Sequence, residues 1–129
     1  PKHNLIMPGR AANMSDGWET KRRRGPGHDW AIIKLGRPRV IHSIEVDTAH
    51  FKGNFPESCS IETYYGGDEN LNDLSVPWAS LLPRTKLQAH TRHFFDQELL
   101  DTGVASHLRF NIYPDGGVSR LRVYGKLVE

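Results

Sequence analysis

The chain has one cysteine, Cys59, among its 129 residues. No intramolecular disulfide can staple it, and a lone thiol suits a reducing interior. No apolar run approaches the roughly 20 residues that span a bilayer, and the N-terminus lacks the apolar stretch of a signal peptide. A soluble intracellular protein without a membrane partner is therefore expected, cytoplasmic, with the peroxisome as the alternative. Charge of one sign is scarce as well. Lys and Arg total 17 against 15 Asp and Glu, a formal +2 that is too small to imply a nucleic-acid partner. The sequence has no G-x-S-x-G elbow, no P-loop lysine after "GPG" at 25–27, no EF-hand register in "GDEN" at 67–70, and no nucleophile signature around Cys59. Helical periodicity is missing apart from one turn in "ENLNDLSVPWASLL".

What the chain does have is alternation. In "WAIIKLG", Trp30, Ile32 and Lys34 oppose Ala31, Ile33 and Leu35, which predicts a strand ending at Gly36 and Pro38. In "VIHSIEVDTAHF", Ile41, Ser43, Glu45 and Asp47 oppose His42, Ile44, Val46 and Thr48, a second strand with one largely apolar face. "CSIETYYGG", "TRHFFDQEL", "SHLRFNIYP" and "SRLRVYGKL" repeat the pattern between Gly, Pro, Asn and Asp. Five or six short strands without βαβ alternation predict an all-β fold, an antiparallel two-sheet β-sandwich. One domain is expected over 1–129, with 1–29 a long ordered loop region across one end and 30–129 carrying the strands. "PDGG" at 114–117 predicts a hairpin joining the last two strands.

The polar residues cluster around glycines. In "DGWETKRRR", Glu19 precedes Arg22, Arg23 and Arg24, whose planar forks suit a carboxylate ligand, although Glu19 pairing internally with one of them is the plainer reading. Trp18 and Trp30 read as core aromatics before ligand platforms. His28 beside Asp29, and Asp47 near His50, are acid/histidine pairs able to move protons near neutral pH or to ligate a divalent metal, though their spacing matches no standard zinc signature. Taken singly, each of these residues is more often structural. Their gathering between Gly17, Gly27 and Gly53 points to a site.

The blocks "NMSDGWETKRRR", "GHDWAIIKLG", "IEVDTAHFKGNFP" and "NIYPDGGVSRLRVYG" resemble the allantoicase family over nearly the whole chain. The resemblance implies a galactose-binding-like jelly roll and hydrolysis of allantoate to ureidoglycolate and urea, in purine catabolism. The family protein carries two homologous repeats, and this chain, which starts at Pro1, is most similar to the second (C-terminal) one. It is therefore expected to be part of a longer protein, with a second repeat as partner and a homo-oligomer as the assembly. For a ureide substrate, the resemblance implies that Arg22, Arg23 or Arg24 binds the carboxylate, that Glu19, Asp29 and Asp47 accept ureido N–H groups or activate water, and that His28 and His50 move protons. Lys52, Asn54 and Asp115 are further substrate-binding candidates. A divalent ion is a candidate cofactor, with His28, Asp47 and His50 as its ligands. Two alternatives stay open: a non-catalytic carbohydrate- or ligand-binding jelly-roll module, and a structural, oligomer-forming half of the enzyme.

Overall fold

Strand β2, Asp29–Asp47, is 19 residues long and changes pairing partners along its length. In the computed structural model, which describes residues 1–128, it follows a short strand β1 (Trp18–Glu19) and two 3-10 turns, Lys2–Ile6 and Met14–Asp16. After it come β3 (Ser58–Tyr64), β4 (Ala79–Lys86), β5 (Arg92–Phe95), β6 (Val104–Tyr113), β7 (Gly117–Val118) and β8 (Arg120–Leu127). The first half of β2 pairs antiparallel with β6, which continues through β3 to β4. The second half lies between β8 and β5, with Ile44 to Asp47 bonded on both sides. β1 and β7 form a separate two-stranded ribbon. All pairs are antiparallel, and the fold is a jelly-roll sandwich.

The core is one cluster drawn from both halves. Ala31, Ile61, Leu82, Leu108 and Phe110 meet Ile44, Val46, Phe95 and Leu121, with Trp18 and Leu5 from the N-terminal segment closing one end. Burial of such side chains supplies about 1.5–3 kcal/mol each before the entropy of ordering is set against it. Cys59 is buried among them, and desolvation raises its thiol pKa to about 12. Among the described residues no helix is long and apolar enough to cross a membrane.

Three local expectations are corrected. Gly36 and Pro38 do not end the strand, because pairing with β6 lapses between Lys34 and Arg39, so the missing proline N–H costs no ladder bond there. The segment before β4 forms turns rather than a helical turn: Asp73 Oδ1 accepts the Ser75 N–H at 2.9 Å, the local bond that draws such residues out of helices. The 114–117 turn does not make a hairpin of the last two strands. β6 is already flanked by β2 and β3, so the chain crosses over, and β8 pairs with β2 instead. That turn is held from outside. The Gly116 N–H donates to Thr20 Oγ1 at 3.1 Å, and the Gly117 N–H to the Asn54 carbonyl at 2.8 Å.

Candidate functional site

The β1–β7 ribbon builds one end of the sandwich. Burial of Trp18 beneath it turns the next residue, Glu19, outward, and the register sets Glu19 opposite Gly117. The Thr20 N–H then donates to the Gly116 carbonyl at 3.0 Å, which carries the arginine run past the 114–116 turn. The loop after β2 closes the third side. Between these segments lies an open cleft of about 610 Å³ lined by Glu19, Thr20, Arg22, Arg23, Gly53, Asn54, Phe55, Pro114, Asp115 and Gly116.

Five of the residues singled out from the sequence therefore share this cleft: Glu19, Arg22, Arg23, Asn54 and Asp115. Asn54 Nδ2 donates to Glu19 Oε2. Asp115 Oδ2 accepts the Arg23 backbone N–H at 2.6 Å, which ties the arginine run to the crossover turn. The Arg23 side chain points partly inward, giving Nη2 to Asp29 Oδ1 at 2.8 Å and to the His28 carbonyl at 3.1 Å. Arg22 is exposed and has no carboxylate partner among the described residues, so its fork is available to a ligand. The cleft thus offers one free guanidinium, two carboxylates and an amide.

The other six candidates do not line it. Asp29 stands behind Arg23. Arg24 and Lys52 are exposed outside the lining set. His28 lies against the outer face of β6, its ring stacked on Tyr113 at 4.8 Å between centroids and its Nε2 3.1 Å from Asn111 Oδ1. His50 Nε2 is 2.7 Å from the Ala11 carbonyl, and its backbone N–H donates to His90 Nδ1 at 2.8 Å. Asp47 is buried, accepting the Ala49 N–H at 2.9 Å and reaching Arg10 at 3.4 Å. The cleft is built from residues before His28 and after His50, together with the 114–116 turn, and not from the two histidines. Nor do His28, Asp47 and His50 form a metal-ligand set. Each is engaged with a different neighbour, and among the described residues no three His, Cys, Asp or Glu side chains converge as a cation would require.

Sequence reasoning passed over a second polar assembly on the outer face of the β5–β2–β8 sheet. Glu45, Asp47, Arg92, Arg120, Arg122 and Tyr124 line a smaller cleft of about 180 Å³ with Gly9 and Arg10. Period-2 alternation put Glu45 with Asp47 on one face, and the same spacing brings Arg120, Arg122 and Tyr124 together along β8. The register joining those faces is not written in either segment alone.

Comparison with known proteins agrees with this architecture. The Allantoicase repeat family model matches residues 1–128. A probable allantoicase from Pseudomonas paraeruginosa is 55% identical over 129 residues, covering 98% of this chain and 39% of the relative. The crystal structure of allantoicase from Saccharomyces cerevisiae superposes with a TM-score of 0.83 at 42% identity, covering 97% of this chain and 36% of that one. An F5/8 type C domain from Bacteroides fragilis, 17% identical with a TM-score of 0.66, shares the fold alone. The chain spans about two fifths of the length of the curated relatives it matches. On a match that runs the length of the described residues, the chain belongs to the allantoicase family, of which it represents one repeat.

Proposed function

We propose that this repeat belongs to an enzyme converting allantoate and water to ureidoglycolate and urea, and that the cleft at the β1–β7 end is where the ureide binds. The observation that carries this reading is Arg22, a guanidinium without a carboxylate partner, in one cleft with Glu19, Asn54 and Asp115. Allantoate has one carboxylate and two neutral ureido groups on a single carbon. Arg22 grips the carboxylate through two parallel hydrogen bonds. The Asn54 amide and the Asp115 carboxylate match the C=O and N–H edges of a ureido group.

The reaction breaks the bond between the central carbon and one ureido nitrogen. A water oxygen joins that carbon, one water proton passes to Glu19, and the departing nitrogen takes a proton back from it to leave as urea. His28 and His50, bonded elsewhere, have no part in this assignment. No step is assigned to a metal, because His28, Asp47 and His50 do not converge.

The test is urea release from allantoate by the full-length protein. Glu19→Gln should lower kcat by roughly 100-fold or more, and Arg22→Gln should raise KM with kcat largely kept. Unchanged kinetics in both would move the chemistry outside this repeat and favour the structural-half reading, which draws support from the internal engagement of both histidines. The same reading includes a second repeat in the full protein, assembly of several copies and an intracellular location. Light scattering on the purified full-length protein checks the assembly.

A further inference from the structure

On the outer face of the β5–β2–β8 sheet, Glu45 and Asp47 are 5% and 1% exposed, a depth at which carboxylates are rarely found unless paired. Arg92 spans Glu45 in a bidentate contact, Nε to Oε2 at 2.8 Å and Nη2 to Oε1 at 3.1 Å. Arg10, itself well exposed, reaches Asp47 through a single 3.4 Å contact. Those two pairs neutralise one another.

Arg120 and Arg122 stand beside them with no carboxylate of their own among the described residues. Arg120 donates to the carbonyls of Gly9, Asn4, Asp16 and Ser119 at 2.5–3.0 Å. Arg122 Nη2 donates to the carbonyls of Met7 and Gly9 at 2.6 and 2.8 Å. Peptide carbonyls fix a guanidinium in place without cancelling its charge. The cleft between them therefore carries two more cations than anions, held rigidly by backbone, with Arg10 loosely seated at the rim. Preorganised positive charge of this kind is what a small anion needs. The buried carboxylates retain lone pairs beyond their present bonds, so they can accept N–H groups carried by the same ligand.

We propose that this cleft is a second ligand site, separate from the one lined by Glu19 and Arg22, and that it takes a small carboxylate bearing a ureido or similar N–H donor. The ligand carboxylate lies against Arg122 and Arg10, and its N–H groups face Glu45 and Asp47. The assignment does not rest on the hydrolytic reading, because it uses none of the residues of the first cleft.

The test is calorimetric titration of the full-length protein carrying Arg22→Gln, which disables the first cleft, with N-carbamoylglycine as the probe and acetate and N-methylurea as its two halves. The expected result is residual binding of N-carbamoylglycine, tighter than that of either half, and weakened about tenfold or more by Arg122→Gln. Because Arg122 also anchors the N-terminal segment, Arg10→Lys is the second variant. Lysine at this exposed position keeps a cation beside Asp47 but lacks the guanidinium fork, so the variant should weaken the probe several-fold with the melting temperature little changed. Binding that vanishes with Arg22→Gln alone, or that ignores both Arg122→Gln and Arg10→Lys, overturns the second site. Acetate binding as tightly as N-carbamoylglycine overturns the role of the two carboxylates.

Discussion

Arg23 and Asp29 are joined from Nη2 to Oδ1 at 2.8 Å, with the Arg23 backbone N–H at the same time bonded to Asp115. One residue is thus fixed at both ends, its main chain to the crossover turn and its guanidinium to the start of β2. With the arginine run pinned at position 23, Arg22 is left facing the cleft.

Removing the inner anchor should loosen the run without touching a ligand. Asp29→Asn leaves a partly exposed arginine without its ion pair, so the stability loss should be about 1 kcal/mol. KM for the ureide should rise several-fold, and Asp29→Glu should restore part of it. Denaturant titration and steady-state kinetics on the same variants check both effects. A KM identical to that of the parent protein would separate Asp29 from the cleft.

The crossover turn is equally constrained at Gly116. Its φ is +126°, and a Cβ there would lie 2.7 Å from the Asn54 carbonyl oxygen, in the backbone of the opposite wall. Gly116→Ala should therefore cost about 2–4 kcal/mol, more than helix or strand propensity alone would predict, because neither the dihedral nor the neighbour can relax freely. Thermal unfolding measures it. A variant as stable as the parent would mean that the two walls are not packed as described.

The parts of the cleft contributed by contiguous sequence were legible beforehand. Glu19 with Arg22 and Arg23 stands out as a polar group between glycines, whereas Asn54 and Asp115 enter only as further candidates once the resemblance implies a ureide ligand. The two histidines do not line that cleft, for a different reason. Whether an imidazole faces a ligand or a neighbour is decided here by Asn111 and Tyr113 for His28, and by Ala11 and His90 for His50. Those partners lie roughly forty or more residues away in the chain and carry no local signal. The strand pattern gave the sandwich correctly. It could not show that one strand runs on past Gly36 and Pro38 and exchanges partners, since those residues carry the same punctuation whether they end a strand or mark a lapse in its pairing.

Acid stability should report on Asp68. Its hydrogen bonds to Lys34 Nζ and to His107 Nε2, both 2.7 Å, lower its pKa below the ordinary carboxylate value. A carboxylate whose folded pKa is depressed stabilises the fold above its unfolded pKa, about 3.9, and that contribution disappears as pH falls through the lower folded value. Urea unfolding measured between pH 2 and pH 6 should show a shallower acid limb for Asp68→Asn than for the parent. Superimposable curves would mean that solvent screens the contact completely.

Cys59 should be inert in the native state. Burial pushes its thiol up to about 12, so at pH 8 almost none of it is thiolate, and the sulfur is covered by core side chains. Iodoacetamide should label it only as fast as the protein unfolds, and the labelling rate should rise with urea. Rapid modification of folded protein would contradict both its burial and its depressed reactivity.

His50 gives the sharpest contrast between sequence and structure. As a proton carrier beside Asp47, its loss would lower turnover by roughly 100-fold or more. The structure instead places its Nε2 2.7 Å from the Ala11 carbonyl and its backbone at φ +74°, a conformation that asparagine adopts more readily than most residues. His50→Asn should therefore keep kcat within a few-fold of the parent. It should lose about 1 kcal/mol of stability with the side-chain bond that ties the N-terminal segment to the loop after β2. His50→Ala, which adds backbone strain at positive φ, should be less stable than His50→Asn while showing the same kcat. A hundredfold fall in kcat for His50→Asn, with its melting temperature intact, would return the histidine to the chemistry and move the reacting centre away from Glu19.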